Sequence, residues 1–395
     1  MAVLCISGCW GQREIDEAAY MVAMGLDKGR GNNIIVTIAI GELAGQGGAQ
    51  SRQVWRSRIF AATAPDIFTA FNIINSNLER QINPTHLKMI IVSEELARRG
   101  IENYMDTLVR WRQFRRTVYI TVAAGRAQDI IRAVQPPTSD NPGKFLEMMI
   151  LTQKFVGYTI PGQLLGFYNA LKTKGEDPVA LIIAAKQTES GNRTGDTDQT
   201  GGDGQSEGSI QTGQGGNREL SIYADLYKKH GDPGKSTAGK APVYGQAPLQ
   251  VMGTAVFHRG RMVDKLTGNE SMALSMLRGE FRRAFISIPA PASPGENVML
   301  EISQIRRPQV TVTDFNEDLH IRVKLFILND LVGVQPQKKY ELPQNISKGE
   351  ALVEKWIKAQ CRSVFAKAQK NGTDIFGFGD PARWLVPDWQ AWRAY

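Results

Sequence analysis

The residues best placed to do chemistry stand near the start of the chain, where Ile6-Ser7-Gly8-Cys9 sets an aliphatic residue and two small ones ahead of a thiol. This is the spacing of a bacterial lipobox. Small residues before the cleavage point fit a narrow peptidase site, and the Cys9 thiol can accept a diacylglyceryl group. Two or three acyl chains, at ~0.8 kcal/mol per buried CH₂, give the stable anchoring that one chain cannot. A complete signal core has ~7 or more apolar residues behind a Lys/Arg-bearing start. Residues 1–8 supply neither, so they read as the remnant of a lipoprotein signal peptide.

Other reactive residue types form weaker patterns. Cys361 falls on the helical stripe Val353, Ile357, Cys361, Val364, Phe365, Ala368 and reads as a buried structural thiol. His86, His230, His258 and His320 show no HExxH or paired spacing, so no metal is expected. There is no Walker A sequence and no GxSxG elbow, and Gly377-Phe378-Gly379-Asp380 does not complete GxGxxG. Glu94-Glu95 sits where a helix N-terminus accommodates negative charge without catalysis. No cofactor is expected, and the lack of these motifs argues against an enzyme.

Arg110-Trp111-Arg112-Gln113-Phe114-Arg115-Arg116 interleaves arginines with aromatics. That pattern suits phosphate contacts with base stacking. The plainer reading, favoured here, has Trp111 and Phe114 anchoring a helix-to-strand corner. The arginines then stay in water or pair with Glu102 and Asp106, with lipid headgroups as an intermediate partner. No nucleic-acid partner is expected.

The elements that must position these residues follow from length and patterning. A chain of 395 residues suggests two or three domains at ~150 residues each. With 42% hydrophobic and 22% charged residues it can build sizeable cores. The net charge of +8 favours anionic partners without choosing among them. No apolar run approaches the ~18 residues of a spanning helix. Strands are expected at 33–40, 54–60, 87–92, 117–123 and 178–185. Helices are expected at 65–80, from Ser93 through Leu96, Ile101, Met105 and Leu108, and near 127–134, 144–156 and 161–173. Such alternation argues for α/β structure, with a break at Pro136, Pro137 and Pro142.

The stretch 187–219 holds nine glycines and one large apolar residue, Ile210. It reads as a disordered Gly/Thr/Gln-rich insertion, and Gly201-Gly202-Asp203-Gly204 as linker in preference to a calcium-binding repeat. Beyond it, 249–257 and 261–264 flank a tight hairpin at His258-Arg259-Gly260. A helix is expected over 269–277, strands over 298–305, 310–313 and 319–328, and a long helix from Ser347 to Lys370 that Asn371-Gly372 stops. The expected class is α/β (α+β), a three-domain mixed architecture with several small sheets flanked by helices. Its parts are an N-terminal α/β region over 9–186, the insertion 187–219, a small β-rich middle domain over 220–266 joined by strands near 179–185, and a C-terminal α+β domain over 267–395.

A resemblance emerges from the order of several short segments: Cys9-Trp10 with Arg13-Glu14-Ile15, Gly25-Leu26-Asp27-Lys28 before a strand, His86–Ala97, the arginine-rich corner, and Gly253-Thr254-Ala255-Val256-Phe257. Asp374-Ile375-Phe376-Gly377-Phe378-Gly379 follows the long helix, with Trp389 beyond. Together they resemble the Ger(x)C family, the lipoprotein C subunit of spore germinant receptors. The resemblance implies a three-domain, non-catalytic lipoprotein on the outer face of the inner spore membrane, anchored through Cys9. There it would assemble with the A and B membrane subunits of a nutrient germinant receptor and trigger germination. It assigns no chemical duty to Asp374, Phe376, Gly377, Phe378 or Gly379; the glycines would allow a tight backbone path and the phenylalanines would pack. The alternatives are a lipid-anchored solute-binding protein, which requires a deep pocket with converging polar groups, and an extracytoplasmic hydrolase with clustered acidic or His residues in a groove.

Overall fold

The computed structural model describes residues 17–44, 54–134, 141–186, 232–243, 247–289, 297–313, 320–334, 343–379 and 383. Cys5, Cys9, the segment 187–219 and Trp389 lie outside them.

The first layer is a ten-stranded sheet. Its centre is parallel: β1 (Ala18–Lys28), β5 (Met89–Ser93), β6 (Tyr119–Ala123) and β8 (Val179–Ala185) lie side by side in that order. On the β1 side, β2 (Ile34–Ala44) and β3 (Val54–Ala64) add antiparallel strands. On the β8 side, β9 (Leu249–His258) and β10 (Arg261–Leu266) do the same. The short β4 (Gln81–Asn83) pairs with the start of β1, and β7 (Gly162–Gln163) with the start of β6.

The central strands are mostly apolar because both faces are covered. Ile90, Val92, Ile120 and Val122 face α1 (Ile67–Asn75), α2 (Glu94–Arg99), α3 (Glu102–Arg110) and α6 (Leu164–Lys172). Met89, Ile91, Ala123 and Ile183 face α4 (Ala127–Ala133) and α5 (Pro142–Leu151) on the other side. Local chemistry starts the helices. Asp66 accepts from Thr69 N at 2.9 Å, Ser93 from Leu96 N at 3.4 Å, and Asn141 from Lys144 N at 3.0 Å.

The C-terminal part packs a second layer. β11 (Arg283–Pro289), β12 (Asn297–Gln304) and β15 (Ile327–Val334) form a three-stranded antiparallel sheet, and β13 (Gln309–Thr313) pairs with β14 (His320–Lys324). Ile286, Ile288, Leu300 and Ile302 turn inward to meet Met272 and Met276 of α7 (Gly268–Leu277) and Val353 and Ile357 of α8 (Pro343–Asn371). Every residue of α7 is buried, so it lacks the polar face of a surface helix. A capping box between Thr267 and Glu270 satisfies its first N–H groups.

The mixed α/β (α+β) class with several sheets and flanking helices matches the sequence expectation, with four differences in detail. The single helix expected from Ser93 is two, because Gly100 takes φ +125° and Ile101 N turns away to donate to Gly260 O at 2.8 Å. The run 319–328 is likewise two strands, each paired with a different partner. The described strands of 220–266 build no sheet of their own; β9 and β10 extend the N-terminal sheet by pairing through β8. Glu102 and Asp106 take Lys172 of α6 as their ion-pair partner, at 2.7 and 3.2 Å, in place of the corner arginines.

Candidate functional site

The segment after α8 is where the two layers are locked together. Gly372, at φ +60°, ends the helix: its N–H donates to Gln369 O at 3.2 Å, and Thr373 N donates to Ala368 O at 3.0 Å. This is the paired bonding of a Schellman cap, which satisfies the last carbonyls. The chain then folds around one carboxylate. Asp374 Oδ1 accepts from the N–H of Phe376, Gly377 and Phe378 at 3.1, 3.0 and 3.2 Å, and Oδ2 from Gly379 N at 2.6 Å. Four amides aimed at one carboxylate close the loop Asp374–Gly379 into a clasp.

Each family-motif position has a physical reason here. Gly377 sits at φ +74°, a conformation that a Cβ disfavours. A Cβ on Gly379 would lie 2.6 Å from the Gly175 Cα and carbonyl, so only glycine permits this approach. Phe376 and Phe378 stack at 5.1 Å, and Phe365 of α8 stacks on Phe376 at 4.4 Å. Burial raises the Asp374 carboxyl above the usual carboxylate range, while the four amides pull the other way.

The clasp grips the α6–β8 connection. Asp177 N donates to Asp374 O at 2.7 Å, and Asp374 N donates to Asp177 Oδ2 at 3.0 Å. Beside it, Arg278 at the end of α7 donates to Ile375 O at 3.0 Å and pairs with Glu176 at 2.7 Å. Burial opposes the Arg278 charge, but Glu280 and Glu176 hold it firmly protonated. Asp177 Oδ1 also lies 3.2 Å from His258 Nδ1 at the hairpin ending β9. An Asp–His pair can orient an imidazole as a base, yet among the described residues no Ser, Thr or Cys is hydrogen-bonded to His258. The sequence offered His258 only as an unpaired histidine in a hairpin and gave no sign of Glu176, Asp177 or Arg278, since 197 positions separate Asp177 from Asp374.

Other motif segments are structural in the same way. Asp27 crosses from the end of β1 to accept Ala127 N at 2.7 Å and Gln128 N at 2.9 Å, capping α4 in place of a side chain of its own. Burial raises its carboxyl, opposed by those two amides. A Cβ on Gly25 would meet Ile131 Cδ1 at 2.9 Å. Glu94 joins Arg98 at 3.0 Å and Lys265 of β10 at 2.5 Å, tying α2 to the edge strand. Gly253, at φ +86°, would place a Cβ 2.6 Å from Leu266 O. Trp111 packs against Phe68, Phe71 and Phe114 at 5.0, 5.5 and 4.9 Å, the anchoring role expected of the corner. Cys361 is half-buried in α8, and burial pushes its thiol up to about 11.

Two clefts open elsewhere. One, of about 560 Å³, lies where α2 meets α3 and the β9–β10 turn, and carries mixed charge from Arg99, Arg259, Arg261, Asp66 and Glu102. The other, of about 360 Å³, lies between β12, β15 and α8. Neither includes a clasp residue. No group of His, Cys, Asp and Glu suited to a metal ion occurs among the described residues, and no described helix is long and apolar enough to cross a membrane.

The similarities to known proteins fall on both layers. Residues 11–185 match the family described as spore germination protein N-terminal domain, and residues 252–395 match spore germination B3/GerAC like, C-terminal. A putative spore germination protein of Bacillus subtilis (strain 168), YfkR, is 31% identical over 388 residues, covering 96% of this chain and 85% of that protein. Spore germination protein KC of the same organism is 22% identical over 388 residues, covering 96% and 84%. The crystal structure of the GerBC protein is 15% identical, covers 94% of this chain and 89% of that one, and has a TM-score of 0.46. By these matches in both layers and along nearly its whole length, the chain belongs to the GerAC-like family of spore germination proteins, the C-subunit family of germinant receptors.

Proposed function

We propose that this protein is the lipid-anchored, non-catalytic C subunit of a nutrient germinant receptor. It is held on the outer face of the inner spore membrane through Cys9 and assembles there with the A and B membrane subunits. The observation that carries this reading is the coincidence of a lipobox at Ile6–Cys9 with family matches beginning at residue 11. The architecture supports a scaffold. Asp27 and Glu270, both buried, and half-buried Asp374 have carboxylates engaged with backbone amides or a lysine, and each residue bonds a segment distant in sequence, Asp374 through its main chain to Asp177. A rigid two-layer body of this kind acts by docking: a stable subunit contact of more than ~1,000 Å² would bias the conformational equilibrium of its partners.

Mass spectrometry of the N-terminal peptide tests the anchor, with the gene expressed from its native locus in a spore former. A diacylglyceryl thioether on Cys9 is expected; unmodified Cys9 in membrane-free protein would overturn it. The receptor role predicts that deletion slows germination on at least one nutrient and that the wild-type gene restores the rate. Normal germination on every nutrient, in a strain lacking paralogous receptors, would refute it.

A further inference from the structure

We infer that the end of the large sheet where the parallel strands begin, carrying Arg80, Arg112, Arg115 and Arg116, is the face that rests on anionic phospholipid headgroups; this rests on the anchoring of Cys9 proposed above. Three observations converge on that end. Parallel pairing of β1 with β5 and of β5 with β6 sets the starts of all three strands at one end of the sheet, with β1 running five residues past the level of Met89 and Tyr119. β6 begins at Tyr119, directly after Arg112, Arg115 and Arg116, whose side chains are all exposed. Arg80, also exposed, precedes Gln81, which pairs with Ala18 at the first turn of chain into β1.

The second observation concerns how tightly this charge is grouped. Tyr20 of β1 stacks on His86 with ring centroids 4.4 Å apart. Burial, then the charges of Arg115 and Lys88, hold that imidazole below its ordinary value, so Arg115 reaches the same spot as the beginning of β1. Lys88 is matched by Glu147 at 2.8 Å. The four arginines have no ion-pair partner among the described residues; the exposed acids nearest them in sequence are Glu79, beside Arg80, and Glu102, which is paired with Lys172. Unpaired guanidiniums are available for bidentate bonds to phosphate, which suits a headgroup layer.

The third observation is the tether. Nine residue steps separate Cys9 from Ala18, a span of at most about 30 Å when fully extended. An acylated Cys9 would therefore keep this end of the sheet within about 30 Å of the bilayer, a reach that lets its arginines come within the Debye length of ~8 Å over which a basic residue interacts strongly with an anionic surface. The opposite rim, with Lys28 and Asp27, lies a full strand length farther away, and Lys28 is already paired with Glu95 at 2.9 Å.

The test uses the full chain as Cys9→Ser, so that any lipid binding is independent of acylation. It is sedimented at low salt with vesicles of phosphatidylcholine alone or of phosphatidylcholine with phosphatidylglycerol. Binding is expected only with phosphatidylglycerol and should decline as salt rises. The triple variant Arg112→Gln/Arg115→Gln/Arg116→Gln should bind about fivefold more weakly per lost charge, on the order of a hundredfold in all. A control, Arg306→Gln/Arg307→Gln/Arg322→Gln, removes the same charge from exposed sites in the C-terminal layer and should bind as the parent does. Unchanged circular dichroism and melting would show both variants folded. Equal weakening in both variants, no weakening in either, or no vesicle binding by the parent would overturn the inference. So would capture of membrane subunits through these arginines without lipid binding, which would make the rim a protein contact. The state of Cys9 in spores is read separately, so failure of the anchor and failure of this surface are distinguishable.

Discussion

Asp27, buried in the first layer, and Asp374, half-buried at the end of the second, are both aspartates of motif segments, but they organise the chain differently. Asp27 reaches across 100 residues to two amides and caps a helix that has no capping side chain of its own. Asp374 gathers four amides from the next five residues and makes its long-range bonds through its main chain to Asp177. The first aligns two elements that packing already holds close. The second creates the very shape of the segment that joins the layers. In this chain both motif aspartates thus organise backbone.

Substitution should separate the two. Asp374→Ala leaves four amides without their acceptor and should destabilise by about 3–5 kcal/mol. Asp27→Ala removes a cap, at a cost of about 1–2 kcal/mol. Urea unfolding of both variants measures the gap; equal losses would erase the distinction. The glycines sharpen it next. Gly379→Ala forces a Cβ against fixed backbone of Gly175 and should cost about 2–3 kcal/mol, whereas Gly25→Ala meets the mobile end of Ile131 and should cost about 1 kcal/mol.

Acidity offers a further division. Burial raises the Asp27 and Asp374 carboxyls above 3.8. The folded chain therefore takes up their protons at higher pH than the unfolded chain does, and these groups do not drive acid unfolding. Glu270 is the reverse. Burial alone would raise it, but Lys367 at 2.6 Å, Ser363 at 2.7 Å and Thr267 hold it below 4.5. Its contribution is complete above pH 4.5 and is lost as pH falls through its folded value. Glu270→Gln should accordingly be less stable than the parent at neutral pH, with the difference shrinking below 4.5 in urea titrations at stepped pH. The smallest effect concerns Cys361. Its raised thiol should react with a disulfide reagent far more slowly in the folded chain than in urea, and fast native labelling would contradict its packed setting.

Much of the fold was legible locally. Ser93 announced the start of one helix, Asn371-Gly372 the stop of another, and the alternation of strands with helices the α/β class. β1 was harder, since Ala18–Lys28 is buried on both faces and reads as a plain apolar run with no period of two. β11 did carry a signal: Ala284, Ile286 and Ile288 alternate with outward residues. The clasp was legible as a motif but not as geometry. Nothing in Asp374–Gly379 states that Asp177 is its partner or that Gly175 is the wall behind Gly379, because those contacts arise only once both layers are packed.

As proposed above, this protein acts as an anchored subunit of a membrane receptor. The most direct measurement is purification of the tagged chain from detergent extracts of spore inner membrane, followed by identification of what comes with it. Two integral-membrane germinant-receptor subunits are expected in amounts comparable to the chain itself, lost when Cys9→Ala releases it from the membrane. Recovery of the wild-type chain alone, in the soluble fraction, would contradict it.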